Sequence, residues 1–214
     1  MQGLDLATFL ARAVVLLVAF TIHELAHAVT ADWLGDSTPR HMGRITLNPL
    51  AHLDPIGTIA LLVAGFGWAK PVMVNPYNMR GNPRTSMAIV AAAGPLSNLL
   101  MAVLFVLPMR FGLVSMDGFL GNTGGQLMPS LSFLLAQFVW INLILMLFNL
   151  IPIPPLDGYK VLTGILPPEM TYRLRPLEQY GFMILLVVVF LVPSVLSVLV
   201  MEPATSLLIY LLGF

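Results

Sequence analysis

Residues 4–30 decide how the rest of the sequence is interpreted, and they read LDLATFLARAVVLLVAFTIHELAHAVT. This stretch is long enough to cross a bilayer, which takes about 20 mostly apolar residues. It nevertheless carries His23, Glu24 and His27 near one end. An ionisable residue inside a spanning helix costs about 2.5–3.5 kcal/mol on insertion scales, so such residues indicate a functional site. The stretch therefore predicts a membrane-embedded helix that carries a polar site.

The composition of the whole sequence agrees with a membrane protein. Of the 214 residues, 58% are apolar and 9% are charged, whereas soluble domains carry about 25% charged residues. The net charge is zero, so nothing indicates nucleic-acid binding. The sequence has no cysteine, which excludes disulfides, thiolate metal sites and cysteine nucleophiles. We expect an integral membrane protein in the lipid bilayer, folded as a single domain over residues 1–214.

Further apolar stretches predict the remaining helices. Together with Leu4–Thr30, the stretches of spanning length are Ser86–Met109, Leu127–Leu150 and Gly181–Met201. The run Pro55–Gly67 is too short to cross and favours a buried or re-entrant segment. For the tail, residues 203–214, the sequence leaves open whether it crosses. The predicted fold is an all-α bundle of about four to six transmembrane helices.

Residues 40–84 differ from the rest of the sequence because prolines interrupt short extended runs. Two of these runs are RITL at 44–47 and KPVMV at 70–74. Proline prevents a long helix, and this pattern favours short strands and turns. We therefore expect a small β-rich, membrane-associated insert at about residues 40–84. Within it, Lys70–Val74 is the candidate edge strand to which an unwound peptide could pair.

The distribution of basic residues predicts the orientation, because short cytoplasmic loops hold the excess of Lys and Arg. Residues 35–84 and 151–180 hold eight of the ten, while the loop between the second and third long stretches holds only Arg110. We expect the first two regions on the cytoplasmic face. The polar end of residues 4–30 then lies toward the cytoplasm.

Residues 23–27, His-Glu-Leu-Ala-His, form the pattern H-E-x-x-H. Histidines four residues apart lie on one face of a helix and can bind one divalent ion. Zinc lowers the pKa of water to about 7, and Glu24 can take up the released proton and later pass it to the leaving amine. The pattern predicts a zinc-dependent hydrolase. The alternative is that the three side chains only form hydrogen bonds between helices.

A catalytic zinc usually has a third protein ligand, and Asp157 fits the requirement best. It follows the third long stretch in NLIPIPPLDG, residues 149–158, where prolines break the helix and glycine allows an unusual turn. Broken backbone at membrane depth lines a cavity or packs on protein. Asp117 and Glu202 are placed at other depths. His52 and Asp54 could form a rival ligand set, but we expect them to line the entrance to the site.

Four motifs, in this order, resemble those of the site-2 proteases, a family of intramembrane zinc metalloproteases. They are HELAH at 23–27, NPLAHLDPIG at 48–57, AGPLSN at 93–98 and NLIPIPPLDG at 149–158. The resemblance implies zinc bound by His23, His27 and Asp157, with Glu24 as the catalytic residue. It also implies cleavage of transmembrane segments of partner proteins, such as anti-sigma factors, in a bacterial or archaeal cell membrane. Many relatives carry a PDZ or CBS domain, for which 214 residues leave no room.

The resemblance also favours contacts to the substrate or the oxyanion from Asn149 and Asn98, and His52 is a further candidate. For Asn98, a bridge between two helices is an equally good interpretation. Two other functions stay open: a metal-dependent transporter with the same ligands, and a pseudoprotease that binds membrane helices without cutting. Glu24 argues against a transporter, which needs no general base, and the complete residue set argues against a pseudoprotease.

Overall fold

The computed structural model describes residues 5–57, 67–121 and 128–214, and these are mostly helical. Four helices in this part of the chain are long and apolar enough to cross a membrane: α1 (Leu6–Leu34), α3 (Pro83–Arg110), α4 (Leu131–Asn149) and α8 (Pro193–Leu212). The shorter helices are α2 (Thr38–His41), α5 (Asp157–Ile165), α6 (Pro168–Leu174) and α7 (Pro176–Leu191). Helices α6 and α7 together would be long enough for a fifth span, but they are bent by 53° at their junction.

Local capping residues set the ends of the first three long helices. Asp5 accepts a hydrogen bond from the Thr8 N–H at the start of α1, and Gly35 ends α1 with φ of 115°. The side chains of Asn82 and Ser130 cap α3 and α4 in the same way. These residue types are favoured at helix N-termini, and glycine at C-termini, since they satisfy backbone groups that have no partner within the helix. The three predicted spans are confirmed within a few residues.

The predicted fourth span, Gly181–Met201, is wrong in position. Helix α7 ends at Leu191, Val192 has φ of −131° and ψ of 59°, and α8 begins at Pro193. Proline lacks the N–H of a continuing helix and disfavours helical geometry at the residue before it. The apolar stretch is therefore divided between two helices, and most of the tail whose crossing was left open belongs to α8, a helix of spanning length.

The predicted β-rich insert is also wrong. Within the described part of residues 40–84 there is one isolated antiparallel bridge, between Leu53 and Ala69, and no strand. A side chain satisfies backbone carbonyls that a neighbouring strand would otherwise bind. The Arg44 guanidinium donates to the Ala51 and Pro71 carbonyls, at 2.5 and 2.9 Å. Prolines remove donors that a ladder would need. Most of the predicted re-entrant segment, residues 58–66, lies outside the described residues.

Helix α3 lies at the centre of the bundle, where it packs against α1, α4 and α5. One apolar cluster joins α3, α4 and α8; its fully buried members are Ala102, Val106, Val139, Leu143 and Ala204. Many large apolar side chains remain exposed on the outer surface, among them Leu100 and Leu104 on α3. Such a surface suits lipid contact. Because α3 touches every helix that carries a candidate site residue, it positions the site.

Candidate metal centre

His23, His27 and Asp157 meet in the interior of the bundle. His23 Nε2 and His27 Nε2 lie 3.1 and 3.2 Å from Asp157 Oδ2, and 3.1 Å from each other. All three residues are buried. Among the described residues, this is the only group of three or more His, Asp or Glu side chains that could hold one metal ion. Tetrahedral zinc with bonds of about 2.0–2.2 Å places its ligand atoms roughly 3.3 Å apart, so the observed spacing fits zinc.

Two local features of the chain bring these ligands together. Four residues separate the histidines on α1, which places both imidazoles on one face. Asp157 is the first residue of α5, which follows the proline-broken turn after α4. Gly158 allows α5 to begin there, because a Cβ on this residue would lie 2.1 Å from the Leu150 carbonyl oxygen. Gly158 is therefore required for close packing, whereas the sequence had indicated an unusual turn.

Both imidazoles are oriented by hydrogen bonds to α3. His23 Nδ1 lies 3.1 Å from Asn98 Oδ1, and His27 Nδ1 lies 2.7 Å from the Val90 carbonyl oxygen. Since both partners are acceptors, each Nδ1 carries the proton and donates it, an assignment that follows from the partners. Each Nε2 then keeps its lone pair for a metal. Such outer hydrogen bonds are the usual support of metal-binding histidines.

Gly94 on α3 faces the two histidines across the space where an ion would bind. A Cβ at this position would lie 2.5 Å from His27 Nε2 and 2.6 Å from His23 Nε2. No side chain can occupy this place without displacing the imidazoles. The backbone of α3 thus leaves a cradle of atomic size beside the ligand atoms, which is a second observation that fits a bound ion.

Glu24 lies in the same interior but outside the group of ligand atoms. It is buried, and its Oε2 accepts a hydrogen bond from the Val72 N–H at 3.1 Å. Val72 belongs to the extended segment, residues 70–75, which contains no helix or strand. A buried carboxylate one residue from a metal ligand, oriented by a backbone donor, can exchange protons without binding the metal itself.

The extended segment is fixed at its far end by Asp36, which is fully buried just beyond α1. The Asp36 carboxylate accepts hydrogen bonds from the Asn75 N–H, the Asn78 side chain, and both the N–H and the hydroxyl of Thr38. Burial on its own would raise the pKa of this carboxyl, but the four hydrogen bonds hold the pKa below its usual value. Asp36 is therefore an ionised anchor for the segment that contacts Glu24.

The other predicted site residues, Asn98, Asn149 and His52, lie outside the group formed by His23, His27 and Asp157. Asn98 is fully buried against His23. The Asn149 side chain donates to the Leu145 carbonyl of its own helix at 2.9 Å. His52 is fully buried, and its Nε2 donates to the Thr46 carbonyl at 2.9 Å. A contact of these three residues with substrate stays a prediction.

Sequence reasoning missed several groups around the site. Lys160 Nζ lies 3.6 Å from Asp157 Oδ1, the carboxylate oxygen that faces away from the histidines. Its position three residues after Asp157 on one helix is a signal that could have identified it. The Val90 carbonyl and the Val72 N–H are backbone groups, and no residue type in the sequence marks them.

Comparison with known proteins gives the family. The family model "Peptidase family M50" matches residues 111–193, which include Asp157. The chain is 46% identical to "Putative zinc metalloprotease YwhC" of Bacillus subtilis, over 81% of this chain and 77% of that protein. It is 33% identical to "Putative zinc metalloprotease Rip2" of Mycolicibacterium smegmatis, over 80% of this chain and 63% of that protein. It is also 33% identical to the protein of the same name from Mycobacterium tuberculosis, over 83% and 65%.

The chain therefore belongs to peptidase family M50, the site-2 proteases. This confirms the family that the four motifs resembled, its enzyme class as a metalloprotease, and zinc as its metal. No solved structure matches the chain significantly.

Proposed function

We propose that the chain is an intramembrane zinc endopeptidase that hydrolyses peptide bonds within or near transmembrane segments of other membrane proteins. The observation that carries this proposal is the buried group of His23, His27 and Asp157, two of which lie on a helix of spanning length, with Glu24 beside them. His27 and His23 lie seven and eleven residues before the end of α1, which is about 10 Å and about 16 Å along the helix. A site at this depth acts on peptide bonds inside the membrane.

In this proposal His23, His27 and Asp157 hold the zinc, and Glu24 transfers protons. When bound, zinc supplies the Lewis acidity that makes hydroxide available near neutral pH. The Glu24 carboxylate takes up a proton from the attacking water and later gives it to the leaving amine. The Val72 N–H donates to Glu24 Oε2 and thereby orients this carboxylate.

The substrate must be locally unwound before it can be cut. A carbonyl within a transmembrane helix is hydrogen-bonded inside that helix and is sheltered from attack. The described residues contain no strand, so the prediction that Lys70–Val74 forms an edge strand is wrong. We infer that the substrate is a membrane-spanning regulator such as an anti-sigma factor, because the family resemblance implies this class.

The active site faces the cytoplasm in this proposal. The two basic regions of the sequence meet at one end of the bundle, where the Arg84 guanidinium donates to the Thr163 carbonyl at 2.7 Å. At the opposite end of α3, Arg110 donates to the Leu211 carbonyl at 2.9 Å. The end rich in Lys and Arg is the end nearer the ligand residues, and the excess of basic residues marks the cytoplasmic side.

The test compares Glu24→Gln with His23→Ala and Asp157→Ala. Each full-length variant is purified in detergent for zinc analysis and is co-expressed with a library of single-span membrane proteins. We expect Glu24→Gln to keep zinc and lose cleavage, because only the proton acceptor is removed, whereas the two ligand variants lose zinc as well. Glu169→Gln, the same change at an exposed carboxylate on α6, is the matched control and keeps both properties.

Retained cleavage by Glu24→Gln would refute the proposed role of Glu24. Stoichiometric zinc in His23→Ala and Asp157→Ala would refute the proposed ligand set. A wild-type chain that binds zinc but cuts none of the library proteins, while it binds some of them, would support the pseudoprotease alternative instead.

A further inference from the structure

Arg84 joins the first turn of α3 to the far end of the helix that carries Asp157. Its guanidinium donates to the Thr163 carbonyl and to the Thr171 hydroxyl, both at 2.7 Å, and also to the Leu166 carbonyl. The last carbonyls of a helix have no partner within the helix, and a cation near them is stabilising. Arg84 therefore caps the C-terminal end of α5 from a different element of the fold.

A glycine contact reinforces this junction. A Cβ on Gly164 would lie 2.3 Å from the Ala88 Cβ and 2.9 Å from the Arg84 carbonyl oxygen. The backbones of α5 and α3 are thus in direct contact beside the Arg84 side chain. Two independent contacts hold the C-terminal end of α5 against α3.

We propose that Arg84 is a positioning residue for the metal centre, which fixes Asp157 relative to the two histidines through α5. The start of α5 packs on Leu150 through Gly158, but prolines break the chain between α4 and α5, so this one contact does not set the direction of α5. Helix α3, in contrast, also holds both imidazoles through Asn98 and Val90. By binding α5 to the same helix, Arg84 fixes the position of Asp157 relative to the two histidines. The proposal rests on Asp157 being a zinc ligand, as proposed above.

The length of α5 makes the position of Asp157 sensitive to this junction. A nine-residue helix is about 13 Å long, so a tilt of about 5° at its C-terminal end moves its first residue by about 1 Å. Metal sites tolerate deviations of about 0.2 Å in ligand distance. A small displacement of α5 at the Arg84 contact therefore moves Asp157 by more than a zinc site tolerates.

The chain offers a matched control at the other end of α3. Arg110 donates to the Leu211 and Tyr210 carbonyls, at 2.9 and 3.5 Å, and so caps the C-terminal end of α8. Helix α8 carries none of the proposed ligands or their hydrogen-bond partners. Removal of the Arg110 guanidinium thus breaks the same kind of contact without touching the helix of Asp157.

The experiment measures zinc affinity by chelator competition and the thermal unfolding midpoint, on full-length protein in detergent. We expect Arg84→Gln to weaken zinc binding by about tenfold or more, the effect typical of changes just outside the ligands. Arg84→Lys, which keeps a cation with fewer donors, should lie between Arg84→Gln and the wild type. Arg110→Gln should lower the midpoint but leave zinc affinity unchanged. Gly164→Ala, which pushes α5 away from α3 with Arg84 intact, should weaken zinc binding as Arg84→Gln does.

Equal zinc affinities in Arg84→Gln and Arg110→Gln would overturn the proposal, whether both are weakened or neither is. If Arg84→Gln does not fold, the same comparison is made with Arg84→Lys and Gly164→Ala, and wild-type zinc affinity in both overturns it as well. Asp157→Asn shows whether a negative result concerns the role of Arg84 or the proposed ligand set. When Asp157→Asn loses zinc and Arg84→Gln does not, only the role of Arg84 is wrong; when Asp157→Asn also keeps zinc, the proposed ligand set is wrong.

Discussion

Replacement of Gly94 by alanine is expected to abolish zinc binding while the helical bundle stays folded. The added methyl carbon would lie 2.5 Å from His27 Nε2 and 2.6 Å from His23 Nε2, whereas real Cβ atoms essentially never come within 3.0 Å of another heavy atom. The imidazoles or α3 must therefore move by about half an ångström, which is more than the deviation of about 0.2 Å that metal sites tolerate.

The imidazoles cannot simply turn aside, because α3 itself holds their Nδ1 atoms through Asn98 and Val90. Displacement of α3 would shift these partners together with Gly94. We expect zinc affinity to fall at least about 100-fold, which corresponds to about 2.7 kcal/mol. If the proposed function is right, cleavage of membrane substrates should be lost in parallel, because it would depend on bound zinc.

The assay is competition between purified protein and a zinc chelator, together with cleavage of a co-expressed substrate. Gly112→Ala is the control: Gly112 has φ of +71° and no atom within 4 Å of an added Cβ. Alanine there costs about 1–2 kcal/mol of backbone strain but blocks nothing. It should lower the unfolding midpoint and leave zinc binding intact. Wild-type zinc affinity in Gly94→Ala would show that the ion does not need the space beside this glycine.

Two further predictions concern the anchor at Asp36 and the orientation in the membrane. The lowered pKa of Asp36 means that its ionised form stabilises the fold fully above about pH 4 and that this stabilisation falls as the pH drops through the lowered value. Asp36→Asn should therefore lower the unfolding midpoint more at pH 7 than at pH 3; a constant difference would contradict this. Because the chain has no cysteine, a cysteine introduced as Arg80→Cys or Leu113→Cys reports one face of the membrane each. A membrane-impermeant maleimide added to intact cells should label only Leu113→Cys. Labelling of Arg80→Cys alone would mean that the orientation is opposite to the one proposed.

Much of the bundle could be predicted from the sequence because lipid imposes a simple rule on it. A helix must satisfy its own backbone groups and present apolar side chains over about 20 residues, and α1, α3 and α4 follow this rule within a few residues. The rule failed at Pro193, because the apolar stretch continues through this residue whereas the helix before it ends at Leu191. It failed again in residues 40–84, where a pattern suited to strands is held by the side chains of Arg44 and Asp36 instead.

For the candidate site, the sequence identified the three residues that the structure brings together, His23, His27 and Asp157, but not most of the groups around them. The spacing of His23 and His27 is a local property of one helix, so the H-E-x-x-H pattern alone predicts their common face. The roles of Asn98 and Gly94 depend on contacts between helices that are about 70 residues apart in sequence. Asn98 was a candidate for substrate contact, and the structure places its side chain oxygen on His23.

Hydropathy and the H-E-x-x-H spacing act within single helices, so these two patterns predict a metal site on a membrane-embedded helix without any tertiary contact. The four motifs add the resemblance to the site-2 proteases, which the comparisons confirm. The central position of α3, which orients both imidazoles and packs against the helix of Asp157, follows only from contacts between helices. A metal ion needs its ligand atoms held to a few tenths of an ångström. Such accuracy comes from packing and hydrogen bonds between helices, and these contacts leave no pattern along any one segment of the chain.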